Sequence, residues 1–428
     1  MAAGGPLKPG FGCRACFGAI RLCPSTRRLF AMRRNDRLPS IKSLLRIALS
    51  LSILTSGSLA QTKFTVLYNF RGVPDAASPW AAVTLGSNDT LYGTTAGGGT
   101  GSCGGGCGTV FRLTRQANGK WTETILQDFQ DDFEALLGGL VRDSSGNFFG
   151  TSTGGNLLFE LTANGDWNEY PLPLGGSAAP LLDRGGKLFE ASGDIFEITA
   201  TSDGWMQKDI YSFHPQSGKD GTDGSAPAGS LISDGHGNLY GATEFGGNYS
   251  LCSGSSGCGT VFKLTPNPDG TWTEHVLHRF AQFQNDGQLP FAGVIMDAAG
   301  NLYGTTYEGG QYDAGTVFRL SPGSDGRWHE SILHNFSGRE GAASPNTGLT
   351  LDRSGNLYGV SGGTVGGAVF ELTPGTDGKW TFSVLHEFTG SDGYLPQSSL
   401  TLDSRGNLYG TTLFGGKYRY GVVFELRP

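Results

Sequence analysis

Residues 291–336 read FAGVIMDAAGNLYGTTYEGGQYDAGTVFRLSPGSDGRWHESILHNF, and four short runs stand out: AGVIMD, NLYGTT, GTVFRL and WHESILHNF. Aromatic and β-branched residues dominate these runs, and Gly, Asp and Pro punctuate them. That is the composition of short strands joined by tight turns. The turn from third to fourth run carries Asp325-Gly326 before Trp328, a pair that suits a type I′ hairpin with positive φ at both central residues. The turn from first to second run is Asp297-Ala-Ala-Gly300, where a carboxylate can accept the N–H groups of the turn.

The same text recurs outward in both directions. The aromatic of the GNLYG element falls at Tyr92, Phe149, Phe189, Tyr240, Tyr303, Tyr358 and Tyr409, spaced by 57, 40, 51, 63, 55 and 51 residues. Copies two and three are eroded to GNFFGTS and GKLFEAS but keep the register. Copy seven stops after its third run, GVVFELRP. Near the other end, Phe64-Thr-Val-Leu-Tyr-Asn-Phe70 matches Phe382-Ser-Val-Leu-His-Glu-Phe388 position for position and has no copy of its own. Repeats this small cannot bury a core alone. The pattern therefore predicts an all-β fold, a seven-bladed β-propeller of four-stranded antiparallel blades, with the N-terminal strand completing the last blade. Such a closure leaves no open sheet edge between the chain ends.

Composition agrees. Of 428 residues 71 are glycine, a density that would cost about 1 kcal/mol per helical position and excludes helix bundles. A net charge of −7 argues against a nucleic-acid partner, because phosphate binding needs a basic face.

The first sixty residues read as address rather than fold. From Met32 a basic segment with Arg33, Arg34, Arg37 and Lys42 leads into an apolar Ile47–Thr55, with Ser58 and Ala60 as the small residues of a cleavage site. Residues 32–60 are therefore expected to be a signal peptide, and 1–31 an extension upstream of a true start at Met32. The apolar run falls well short of the ~20 residues that span a bilayer, so no membrane span is expected. Of 31 Lys and Arg and 38 Asp and Glu in the whole chain, residues 1–60 hold ten and one; the remaining 21 and 37 give residues 61–428 a net charge of −16. The expected product is a secreted, extracellular or periplasmic, monomeric single domain over 61–428. It keeps two close cysteine pairs, Cys103 with Cys107 and Cys252 with Cys258, which in an exported protein read as local disulfides.

The string D-x-x-GNLYGTT-x-x-GG…GTVF-x-LTP resembles the GloVer tandem repeat, over nearly all of 62–428 and most closely in copies one and four to seven. Members of that family are bacterial exported proteins with varied C-terminal anchors. The resemblance implies architecture and export, and it brings no assigned activity.

In a propeller the second-to-third loops and the blade-linking loops share one face. Here these are the long, varied loops. The linkers repeat an Asp before Pro, as Asp286 before Pro290 and Asp392 before Pro396; Trp80 directly follows the corresponding Pro79. The second-to-third loops carry Phe245, Tyr249, Tyr307, Glu308, Tyr312, Asp313, Phe414, Tyr418 and Tyr420. Aromatic faces pack on the C–H faces of sugar rings while carboxylates accept hydroxyls, so this rim suits an extracellular glycan or a protein partner. The plainer account of each residue is that Asp and Pro shape the turn and tyrosines cover glycine-rich backbone. Because the Asp of D-x-x-GN and the histidines at 278, 334 and 386 occupy repeated positions, they read as fabric. No catalytic residues, cofactor or metal site stand out. The acidic loops leave calcium as an option, although no EF-hand-like run occurs. The expected function is thus a non-enzymatic binding module. A carbohydrate-active enzyme using two rim carboxylates, or a structural matrix component, are the alternatives.

Overall fold

The computed structural model describes residues 62–130, 138–152, 157–174, 178–213, 223–247, 252, 257–339, 341–363 and 366–428. The expected leader and Tyr249 lie outside them. Regular structure among the described residues is entirely β, and it forms seven four-stranded antiparallel sheets, one per sequence repeat. In the fifth blade the strands run Ile295–Met296, Leu302–Thr306, Thr316–Pro322 and Trp328–Asn335.

The last sheet shows the ring closure. Lys63–Asn69 pairs antiparallel with Val422–Arg427, in the register Phe64↔Leu426 and Val66↔Phe424, and supplies the missing fourth strand. The register then skips Leu67 and resumes at Tyr68↔Val423. Fourth strands elsewhere carry the same bulge, at Leu126, Leu277, Leu333 and Leu385. An extra residue at that point increases the local twist, as blades of a propeller require.

Within a blade the close contact is between the second and third strands. The third-strand Phe318 is fully buried, and its ring lies over Gly304 of the LYG element. A Cβ added at Gly304 would come within 2.5 Å of that ring, so the glycine is required by packing rather than by backbone angle. Between blades, a phenylalanine directly after the fourth strand meets the third-strand phenylalanine of the next blade edge to face at several interfaces: Phe70–Phe111 at 5.2 Å, Phe280–Phe318 at 5.1 Å and Phe388–Phe424 at 5.3 Å. Such edge-to-face pairs contribute about 0.5–1.5 kcal/mol beyond their area burial. Trp380 and Trp272 extend the interblade packing onto Tyr303 and Phe189 of the preceding blades.

The turns correct one expectation. At 323–327 Gly326 N–H donates to Gly323 O and Gly323 N–H to Arg327 O; Gly326 has φ +78° while Asp325 is not left-handed. This is a type I turn followed by a left-handed glycine, not a type I′ turn. The bulge residue supplies the twist that a type I turn alone would lack. The D-x-x-G turn has the same geometry, and its aspartate is structural. Asp403 accepts the N–H of Arg405 and Asn407, the Asn407 amide at 2.8 Å and the Tyr409 hydroxyl at 3.3 Å. Burial opposes the charge on Asp403, but these donors outweigh it and hold the carboxyl below its ordinary range.

Candidate functional site

The linkers and the second-to-third loops do share a face, locked by a repeated backbone motif. Leu289, just before linker Pro290, donates its N–H to Cys258 O of the preceding blade's loop and accepts the N–H of Tyr307 from the next. Leu395 does the same between Gly366 and Leu413. Both leucines are left-handed, as are Ser78, Ala226 and Ser344 at the equivalent place. A non-glycine residue at positive φ is costly, and the two-sided hydrogen bonding holds it there.

Two features open on this face. The first is the central channel, of about 1110 Å³, lined by the first strands of all seven blades. The residue after the linker proline comes to its wall as Trp80, Phe291, Asn346 and Gln397. Phe291 meets the Tyr307 ring edge to face at 4.9 Å, and the Asn346 amide donates to Gln397. Phe291, Asn346 and Gln397 were missed in the sequence. Their signal was a position that varies within an otherwise repeated frame.

The second feature is an aromatic platform on blade seven. Tyr394, Phe414, Tyr418 and Tyr420 are 38–46% exposed. Tyr394 and Phe414 exchange backbone hydrogen bonds at 2.8 and 3.1 Å, which places their side chains on one surface. The Arg71 guanidinium sits 5.6 Å from the Tyr418 ring centre and the Lys417 ammonium 5.1 Å from it, while the Tyr420 ring packs over Gly72.

The remaining candidates are scattered. Tyr312 is 55% exposed on blade five, and exposed Asp313 accepts the Gly309 N–H at 3.2 Å. Glu308 pairs with Gln288 in a two-stranded ladder, and Phe245 is half-buried. Asp392 accepts from Thr389 and His386 at 2.9 Å each. The Asp286 side chain is fully buried, so it does not present to the rim. The disulfides Cys103–Cys107 and Cys252–Cys258 are formed, with Cα–Cα distances of 5.1 and 5.6 Å.

Asp286 belongs to a repeated arrangement between blades. A fourth-strand residue, the linker aspartate and a fourth-strand residue of the next blade converge, as Tyr68–Asp75–Glu123, Tyr211–Asp223–Glu274 and His278–Asp286–Glu330. In the first, the Tyr68 hydroxyl lies 3.1 Å from both carboxylates. Burial, and then the Asp75 carboxylate, push Glu123 up to about 9. Burial and Asp223 push Glu274 to about 7. Where the next blade offers phenylalanine instead, the ring stacks on the histidine, as Phe382 on His334 at 4.0 Å and Phe64 on His386 at 3.6 Å.

Comparison with known proteins places the architecture. No curated protein matches the chain in sequence. A streptogramin B lyase structure superposes with a TM-score of 0.50 at 14% identity, covering 86% of this chain and 97% of that one. Virginiamycin B lyase from Staphylococcus aureus gives 0.52 at 14% identity, covering 86% and 99%. At that identity the likeness is one of fold. Residues 249–428 match the Gloeobacter/Verrucomicrobia repeat, and the same strand pattern runs through the whole ring: the chain is a seven-bladed β-propeller that carries this repeat over 249–428.

Proposed function

We propose that the protein is exported and binds an extracellular polysaccharide through its loop face, with the blade-seven platform as the contact surface. The observation that carries this reading is the set of four exposed aromatic rings held on two hydrogen-bonded loops. Rings left this open within one small patch usually mark an interaction surface. Arg71, Lys417 and Arg419 surround them in a chain that is otherwise acidic, which favours a glycan bearing carboxylates or sulfates. Disulfides fit an oxidising compartment, and among the described residues no helix is long and apolar enough to cross a membrane. A glycosidase needs two carboxylates open to the sugar, roughly 5–9 Å apart. Asp286 is closed off, Asp392 is engaged by its neighbours, Asp313 accepts the Gly309 N–H and Glu308 is half-buried, so binding is the better-supported reading.

Calorimetric titration with uronate oligosaccharides and with neutral glucans of equal length tests it. The expected result is binding of the acidic series, weakened at least tenfold in Tyr418→Ala and Tyr420→Ala and by raised salt. Equal affinity for both series, or unchanged affinity in both variants, would overturn it.

A further inference from the structure

The third interblade cluster differs from its two counterparts in a way that changes its chemistry. His278 is the penultimate residue of the fourth strand of blade four, Asp286 lies in the linker, and Glu330 sits on the fourth strand of blade five. The Tyr68 hydroxyl and the Tyr211 hydroxyl each reach a linker carboxylate, at 3.1 and 3.0 Å. The His278 imidazole does not. Its Nε2 stands 3.5 Å from Asp286 Oδ2 and 3.6 Å from Glu330 Oε1, beyond good hydrogen-bond length. His278 Nε2 is buried without a hydrogen-bond partner among the described residues, and the Asp286 and Glu330 carboxyl oxygens beside it, Oδ1 and Oε1, have none but each other's carboxyl group. The side chains are 7%, 0% and 10% exposed. Three buried groups of this kind, left short of their bonds at one point, form a costly arrangement for a protein to keep.

We propose that His278, Asp286 and Glu330 bind a divalent transition-metal ion of the zinc type, which pins blade four to blade five. Ligand atoms about 2.0–2.1 Å from a tetrahedral ion lie roughly 3.4 Å from one another, close to the two separations seen here. One neutral imidazole and two carboxylates balance a doubly charged cation, and the mixed nitrogen and oxygen donors suit zinc better than calcium or magnesium. Asp286 is already oriented, because its Oδ2 accepts the Gln282 N–H at 2.8 Å. An open groove of about 750 Å³ on the outer side of the two blades is lined by His278 and Glu330, giving the ion a route in. Three protein ligands leave the fourth position to water. This site lies between blades, away from the loop-face platform, and stands independently of the polysaccharide reading.

The test uses the purified, chelator-treated protein titrated with zinc by calorimetry and with cobalt(II) by visible absorption. The expected result is one equivalent bound per chain, with cobalt bands of a four-coordinate nitrogen–oxygen site. His278→Tyr restores the residue type found at two equivalent interfaces, so its fold should survive and its zinc affinity fall on the order of 100-fold. Glu330→Gln, which keeps the shape, serves as the second variant and should lose affinity likewise. Absence of saturable binding, or affinity unchanged in either folded variant, would overturn the proposal.

Discussion

The phenyl ring of Phe64 lies flat on the imidazole of His386, 3.6 Å away and 4° from parallel, although the two residues stand at opposite ends of the propeller's sequence. Phe64 belongs to the strand that closes the ring, and His386 to the outer strand of the preceding blade. Just past the far end of the same strand Phe70 is fully buried against Phe111 of the first blade. The closing strand therefore fastens blade seven to both of its neighbours.

Truncating it at either point should weaken the whole ring. Phe70→Ala is expected to cost about 3–5 kcal/mol, as for a buried phenylalanine elsewhere. Phe64→Ala should cost less, since that ring is half-buried. Urea unfolding measures both. If Phe70→Ala shifted stability by no more than a surface substitution, about 0.5 kcal/mol, the strand could not be holding the ring shut.

Two glycines of one blade separate packing from backbone conformation. Gly304→Ala drives a methyl into the Phe318 ring and should cost about 1–3 kcal/mol by overpacking. Gly326 has open space around it but φ +78°, so Gly326→Ala should cost only about 1 kcal/mol, from the left-handed angle. A Gly304→Ala variant as stable as the parent would show that the Phe318 ring can move aside.

How much of this was legible follows from where repetition lies. The blade count, the ring closure and the structural role of Asp403 could be read, because each repeat restates them and the orphan Phe64–Phe70 segment matches residues 382–388. The turn type was misread because Asp-Gly before Trp328 is compatible with two geometries, and only the φ of Asp325 tells them apart. Asp286 reads in sequence like the other linker aspartates. It is buried beside Glu330, which arrives from the next blade, and no local pattern announces that contact. Phe291, Asn346 and Gln397 went unnoticed for the opposite reason: they differ at a position where the frame is constant, and their convergence on the channel exists only once the ring is closed.

The disulfides should contribute modestly and locally. Cys252 and Cys258 close a loop with a sequence separation of six, for which loop-closure entropy gives about 2 kcal/mol. Cys258→Ser should cost more than Cys252→Ser, because Cys258 is fully buried beside Phe280 and Val261 while Cys252 is half-buried. Thermal denaturation of the two single variants decides this. The reverse order would mean that the loop end, rather than the packed sulfur, carries the stabilisation.

The carboxylate pairs between blades give stability an unusual slope with pH. In the folded chain Glu123 holds its proton up to about 9, against an ordinary value of 4.5, because it is buried beside Asp75. Between those values the folded state binds a proton that the unfolded state releases. Stability from this group is complete below about pH 4.5 and is lost as pH rises toward 9, at no more than about 1.4 kcal/mol per unit. Glu274, raised to about 7, adds to the slope over its lower half. The protein should therefore be more stable at pH 5.5 than at pH 8.5. Glu123→Gln imitates the protonated acid: its amide can donate to Asp75 while its oxygen accepts from Tyr68. The variant should flatten the slope and exceed the parent at pH 8.5. Urea midpoints of both proteins at the two pH values measure the effect. If the variant lost stability equally at both, Glu123 would be acting as a charged partner and not as a buried acid.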